Sequence, residues 1–153
     1  MQARMKNPAF VLPDGIKGIG TLFKAIGESG LPHELQELVG LRASQINGCG
    51  ACVHAHNENL VKAGTSGERI AAVAAWRDAP FFTDAERAAL ALTENVTRLA
   101  DRSTESVPDE LWDEVADHFD ERGLSALILV IGVTNLFNRI NTTIKEPAGT
   151  KWG

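Results

Sequence analysis

Apolar residues recur every three or four positions along this chain, and no alternating apolar–polar run lasts five residues between turn signals. A sequence without strand patterning can bury a core only by packing helix on helix. Ile16, Ile19, Leu22, Phe23 and Ile26 predict a helix over about 14–28, weakened by its glycines. A second starts at Pro32, presents Leu35, Leu38, Val39 and Ile46 on one face, and stops at Asn47-Gly48. A third runs from about Cys49 to Lys62 and closes at Gly64. Capping-box signatures at Thr65/Glu68, Thr83/Glu86 and Ser106/Asp109 introduce helices over about 67–77, 84–101 and 107–121. A last helix follows Gly123, over about 124–143. The expectation is all-α: a helical bundle of six or seven helices, with the cysteine pair at a helix N-terminus.

A length of 153 residues fits a single domain, 1–153, large enough to hold a core without disulfides. The net charge of −5 and a pI near 5.3 leave no basic surface to neutralise phosphates, so nucleic acid is not an expected partner. The first dozen residues lack the apolar run of a secretory signal, and a cytoplasmic protein is the expectation. The most apolar stretch, Leu124 to Phe137, is shorter than the roughly 20 residues of a membrane span and carries Ser125, Thr134 and Asn135. It reads as a helix buried all round, in a core or between the subunits of a homo-oligomer. No membrane association is expected.

The only two cysteines sit three apart, as Cys49-Gly50-Ala51-Cys52. A loop this small restrains the unfolded chain little, so the pair points to redox chemistry or metal rather than to a staple. On a helix, Cys49, Cys52 and His56 fall within about 60° of arc, with Cys52 and His56 one turn apart, while His54 faces away. A helix start favours a thiolate, and a neighbouring imidazole adds to the effect. The second thiol can then resolve a sulfenic acid or mixed disulfide into the Cys49–Cys52 bond. Glu37, twelve residues before Cys49 and across a tight turn, can reach the same helix and take a proton from His56. The residues leave three readings open: a peroxidase, a redox carrier or disulfide reductase, and a zinc or structural site using Cys49, Cys52 and His56 with Glu37 or water. No bound cofactor is required, since the cysteines hold the electrons.

The string Glu37-x11-Cys49-x2-Cys52-x3-His56, within ELVGLRASQINGCGACVHAH, resembles the alkylhydroperoxidase D-like branch of the carboxymuconolactone decarboxylase family. The likeness extends through NPAFVLPDGIKGI, AAVAAWRDAPFFTDAERAALALTE and FNRINTTIKEPAG, covering a core of about 7–149. It implies a helical subunit in trimers or hexamers that reduces hydroperoxides or small disulfides and is recycled by an external thiol or dithiol. It also implies roles: Glu37, His56 and a water relaying protons to Cys52, the peroxide-attacking thiol. Cys49 would be the resolving thiol and then the point of attack for the reductant. Some members place a histidine inside the pair, where this chain has Gly50 and Ala51. The decarboxylases proper lack the dithiol, which argues against lactone decarboxylation.

Elsewhere the readings are structural. Asn135, Asn138, Arg139 and Asn141 read as C-terminal capping and inter-subunit hydrogen bonding. Trp76, Phe81, Phe82 and Trp112 read as core or interface, and the acidic run from Asp113 to Glu121 as a solvated face.

Overall fold

The structure is a computed structural model that describes residues 1–101 and 106–151. Among these residues there are eight α-helices, two 3-10 segments and no strand. The chain opens with the single turn α1 (Pro8–Val11) and then α2 (Pro13–Gly27). Next come α3 (His33–Ile46) and α4 (Gly50–Lys62), then α5 (Gly67–Ala72), which tightens into a 3-10 segment at Val73–Asp78. The second half holds α6 (Asp84–Thr97), a short 3-10 turn, α7 (Asp109–His118) and α8 (Glu121–Ile144). The seven expected helices are all present, with α1 in addition.

Helix α3 is the axis of the bundle, packed against α4, α6 and α8. Its two sides feed two cores: Leu35 and Val39 join the α6, α7 and α8 side chains, while Leu38 and Leu41 join Leu60, Trp76 and Leu90. Leu38 and Val39 are fully buried, each side chain stabilising the fold by roughly 2 kcal/mol on transfer from water.

Several boundaries shift for local reasons. The Thr83/Glu86 capping box forms as its sequence predicts. The Thr65/Glu68 box does not: Ser66 is the N-cap, and the Thr65 hydroxyl donates to Glu34 instead. Pro108 caps α7 with no side-chain bond, so the Ser106/Asp109 box is also absent. Gly123 does not separate helices, because Asp120 accepts its N–H and starts α8 earlier. At 24 residues α8 is therefore long and apolar enough to cross a bilayer by length and composition, against the shorter reading. Contrary to the expectation from its apolar stretch, it is not buried all round within the protomer: Ala126, Leu127, Val130, Ile131 and Val133 join the first core, while Ile128, Leu129 and Leu136 stand exposed. Trp76 and Phe82 are core residues as expected, whereas Phe81 and Trp112 are partly open to solvent.

A half-buried ionic cluster borders the second core at Trp76. The Glu94 carboxylate accepts from Arg42 Nε (2.8 Å), Trp76 Nε1 (2.9 Å) and Arg77 Nη1 (2.5 Å). Burial alone would push the Glu94 carboxyl up, but the hydrogen bonds from Arg77, Trp76 and Arg42 outweigh it and hold it below its ordinary range. A carboxylate with a depressed folded-state pKa contributes stability above about pH 4.3, the unfolded value, and loses it as pH falls further. Glu94→Ala should cost about 1–2 kcal/mol at neutral pH by removing the partner of Arg42 and Trp76, and should flatten the acid limb of the stability curve in urea titrations run from pH 7 to pH 3.

Candidate active site

The turn between α3 and α4 sets the geometry of the site. Gly48 takes a φ of +66°, a conformation open to glycine at little cost, and so lets α4 fold straight back along α3. Glu37 lies about ten residues before Asn47 and His56 about nine after it, so at ~1.5 Å per residue they stand level across the pair. Glu37 Oε2 accepts a hydrogen bond from His56 Nδ1 at 2.8 Å. The same oxygen accepts from Asn59 Nδ2 at 3.2 Å, and His33 Nε2 approaches Oε1 at 3.5 Å. With Nδ1–H committed to the carboxylate, Nε2 is the ring nitrogen that carries the lone pair.

This approach needs Gly40. A β-carbon built there would lie 2.3 Å from His56 Cε1 and 2.7 Å from both ring nitrogens. A glycine inside a helical pattern is a recognisable signal of close packing, and here the imidazole fills the space.

Cys49 and Cys52 are joined in a disulfide. Cys49 is the N-cap of α4, its sulfur accepting from Cys52 N–H at 3.3 Å. Cys52 Sγ accepts from Asn141 Nδ2 of α8 at 3.4 Å. Both residues are buried, yet they differ in access. Cys52 lines a cavity of about 550 Å³, within the usual size range of ligand pockets, and Cys49 sits behind it at 2% exposure.

The cavity gathers the expected residues: Glu37, Cys52 and His56 share its wall with Asn59 and Asn141. The opposite wall is apolar, built from Phe10, Ile16, Ile19, Phe23 and Phe137, with Phe23 stacked on Phe137 at 6.1 Å between ring centroids. His54 also reaches this lining and approaches Glu58 at 3.8 Å, correcting the expectation that it faces away. Among the described residues no three His, Cys, Asp or Glu side chains are grouped to hold a metal ion.

The asparagines of α8 are likewise not what their sequence context suggested. Asn135, Asn138 and Asn141 are buried inside the protomer, aligned along one side of α8. Asn47 Nδ2 donates to Asn135 Oδ1 (3.0 Å) and Asn138 Oδ1 (2.8 Å), and Asn138 donates to Ser44 Oγ. The α3–α4 turn is thereby fastened to α8 by amides. Asn59, Asn141, Gly40 and the apolar face of α2 are the parts of the site that the sequence reading missed.

The sequence profile described as the carboxymuconolactone decarboxylase family matches residues 17–95. The uncharacterised protein YdfG of Bacillus subtilis (strain 168) is 33% identical over 141 residues, spanning 92% of this chain and 94% of its own length. The uncharacterised protein YnjA of Escherichia coli (strain K12) is 34% identical over 78% of this chain and 64% of its own length. Among solved structures, an Agrobacterium tumefaciens protein of unknown function, described as a candidate antioxidant defence protein AhpD, superposes with a TM-score of 0.87. The two are 31% identical, over 98% of this chain and 100% of that one. The debrominase Bmp8 superposes at a TM-score of 0.79 with 23% identity, over 90% of this chain and 73% of its own, a likeness of fold alone.

Gly40→Ala tests the geometry directly. It should displace the imidazole, change the His56 ring resonances in NMR spectra and cost roughly 1–3 kcal/mol in denaturant unfolding. An unmoved His56 with unchanged stability would contradict the close approach.

Proposed function

The chain belongs to the carboxymuconolactone decarboxylase family, and from that footing we propose that it is a thiol-dependent peroxidase acting on organic hydroperoxides through a Cys49–Cys52 dithiol–disulfide cycle. The observation that carries the reading is a single cavity lined by Cys52, His56 and Glu37, with Glu37 bonded to His56 Nδ1. The candidate AhpD role of the Agrobacterium protein supports it.

In this scheme His56 Nε2 takes the Cys52 thiol proton, and Glu37 stabilises the imidazolium through Nδ1–H. The Cys52 thiolate attacks the terminal oxygen of the hydroperoxide, the O–O bond breaks, and an alkoxide leaves. His56 returns the proton to give the alcohol, while Cys52 becomes a sulfenic acid. The Cys49 thiol attacks that sulfur, forming the disulfide and releasing water. A small thiol or dithiol then restores the pair by exchange. The likeness assigned Cys49 as the point of attack, but the cavity favours Cys52, with Cys49 leaving as a thiolate received by the Cys52 N–H. The apolar wall suits a substrate with a hydrocarbon group, such as cumene hydroperoxide, more than hydrogen peroxide.

A homo-oligomer is part of the same proposal. Ile128, Leu129 and Leu136 stand exposed on α8 with Gly132 between them, a strip that association would remove from water. Leu129→Glu should shift the species seen by light scattering toward the monomer.

Turnover of cumene hydroperoxide with a dithiol reductant should fall by at least about a hundredfold in Cys52→Ser, since the attacking sulfur is lost. Phe23→Ala should raise KM for the aryl hydroperoxide by roughly tenfold, within the 1–3 kcal/mol that a small change of apolar fit in a pocket is worth, while leaving hydrogen peroxide little affected. A reduced protein that reacts with peroxide no faster than a free thiol, yet exchanges rapidly with small disulfides, would replace the peroxidase with a disulfide reductase.

A further inference from the structure

A chain of two buried amides ends on the Cys52 sulfur, and its orientation can be read without ambiguity. The backbone N–H of Ala9 can only donate, and it donates to Asn7 at 3.0 Å, so the atom it meets is Oδ1. The other end of the Asn7 amide is then Nδ2, which donates to Asn141 at 3.1 Å. The atom receiving that bond must be Asn141 Oδ1. What Asn141 turns toward Cys52 Sγ, 3.4 Å away, is therefore its Nδ2, a donor. Asn7 and Asn141 are 7% and 2% exposed, so both amides are largely sheltered from water and their hydrogen bonds are correspondingly strong. The segment carrying Asn7 is itself fastened to the end of α8, with Arg4 N–H donating to Ile144 O and Arg4 Nη1 to Thr143 O.

We propose that Asn141, held in register by Asn7, is the donor that keeps Cys52 acidic and makes the Cys49–Cys52 disulfide more oxidising. The inference rests on Cys52 being the reactive sulfur. In the disulfide the amide meets a neutral sulfur; after reduction the same amide meets a thiolate, and a charge-assisted bond is roughly twice as strong as a neutral one. The donor therefore favours the reduced, ionised state over both the neutral thiol and the disulfide. Asn141 touches the reacting atom, and Asn7 is a positioning residue that acts through it.

The test titrates Cys52 alone, in full-length protein carrying Cys49→Ser, which keeps an acceptor at the α4 N-cap. Thiolate absorbance and the rate of iodoacetamide alkylation are followed against pH. Asn141→Ala should raise the Cys52 pKa by about one unit, slowing alkylation below the pKa roughly tenfold. Asn7→Asp is the sharper variant. It keeps the cap on Ala9 but removes the donor to Asn141, so the Asn141 amide turns over and offers Oδ1 to the sulfur. The Cys52 pKa should rise at least as far as in Asn141→Ala, and this effect of Asn7→Asp should shrink when Asn141 is already alanine, because there is no amide left to turn. With both cysteines present, Asn141→Ala should shift the equilibrium with dithiothreitol roughly tenfold toward the disulfide, about 30 mV. A Cys52 pKa that stays at the parent value in both Asn141→Ala and Asn7→Asp, or an Asn7→Asp shift unchanged by Asn141→Ala, would overturn the proposal. If Asn141→Ala does not fold, Asn7→Asp and Asn7→Ala decide alone, with Asn7→Ala expected to give a smaller rise. The titration needs neither peroxide nor reductase activity, so a shifted pKa in a protein inert to hydroperoxides would sink the peroxidase reading and leave this one standing.

Discussion

The contact on which the rest of the site depends is the approach of the His56 ring to the bare α-carbon of Gly40. Helices normally pack 8–10 Å apart, with side chains filling the gap on both sides. Here one helix contributes nothing at the crossing and the other contributes an imidazole. The ring is thereby wedged one turn from Glu37 on α3, which engages its Nδ1, and one turn from Cys52 on its own helix. Packing fixes the position of the histidine and the carboxylate fixes its tautomer.

Polar groups at this depth need partners, and the fold supplies them in two separate networks. Around Glu94 two partners are charged arginines and the third is the neutral Trp76 indole, and together they overcome the cost of partly burying one carboxylate. Along α8 the partners are neutral amides, which are cheaper to bury and have a direction. Because an amide has one donating and one accepting end, Asn47, Asn135 and Asn138 can set the turn against α8 in one register only. Helix α8 is thus apolar toward α6 and α7 while presenting an ordered polar row toward α3 and α4.

Much of this was legible in the sequence. Helical periodicity and glycine punctuation placed the seven longer helices, since those signals are local and strong. The offset between Glu37 and His56 was legible because it depends only on helix rise and a connection of three residues, Asn47 to Cys49. The missed parts depend on contacts distant in sequence. Asn141 meets Cys52 across eighty-nine positions, and Asn7 meets Asn141 across 134, which no local pattern encodes. His54 was misjudged because a helical wheel divides a helix into faces, whereas the cavity wraps around α4 far enough to include both His54 and His56. The caps at Ser66 and Asp120 were displaced by competition: Thr65 was drawn to Glu34, and Asp120 stood nearer the helix start than the glycine taken for its boundary.

The brevity of the α3–α4 connection also restricts how this chain can change. Glu37 and His56 stay level only while the turn through Gly48 keeps its length. A residue inserted within the first turn of α4 would rotate the residues before it relative to those after it by about 100° and shift them by about 1.5 Å, so Cys52 and His56 could not both keep their places. A side-chain substitution at the pocket alters one contact, whereas a change in loop length here acts on the Glu37–His56 contact and on the placement of Cys52 at once. The connection thus sets the register of the two helices as firmly as the packing between them does.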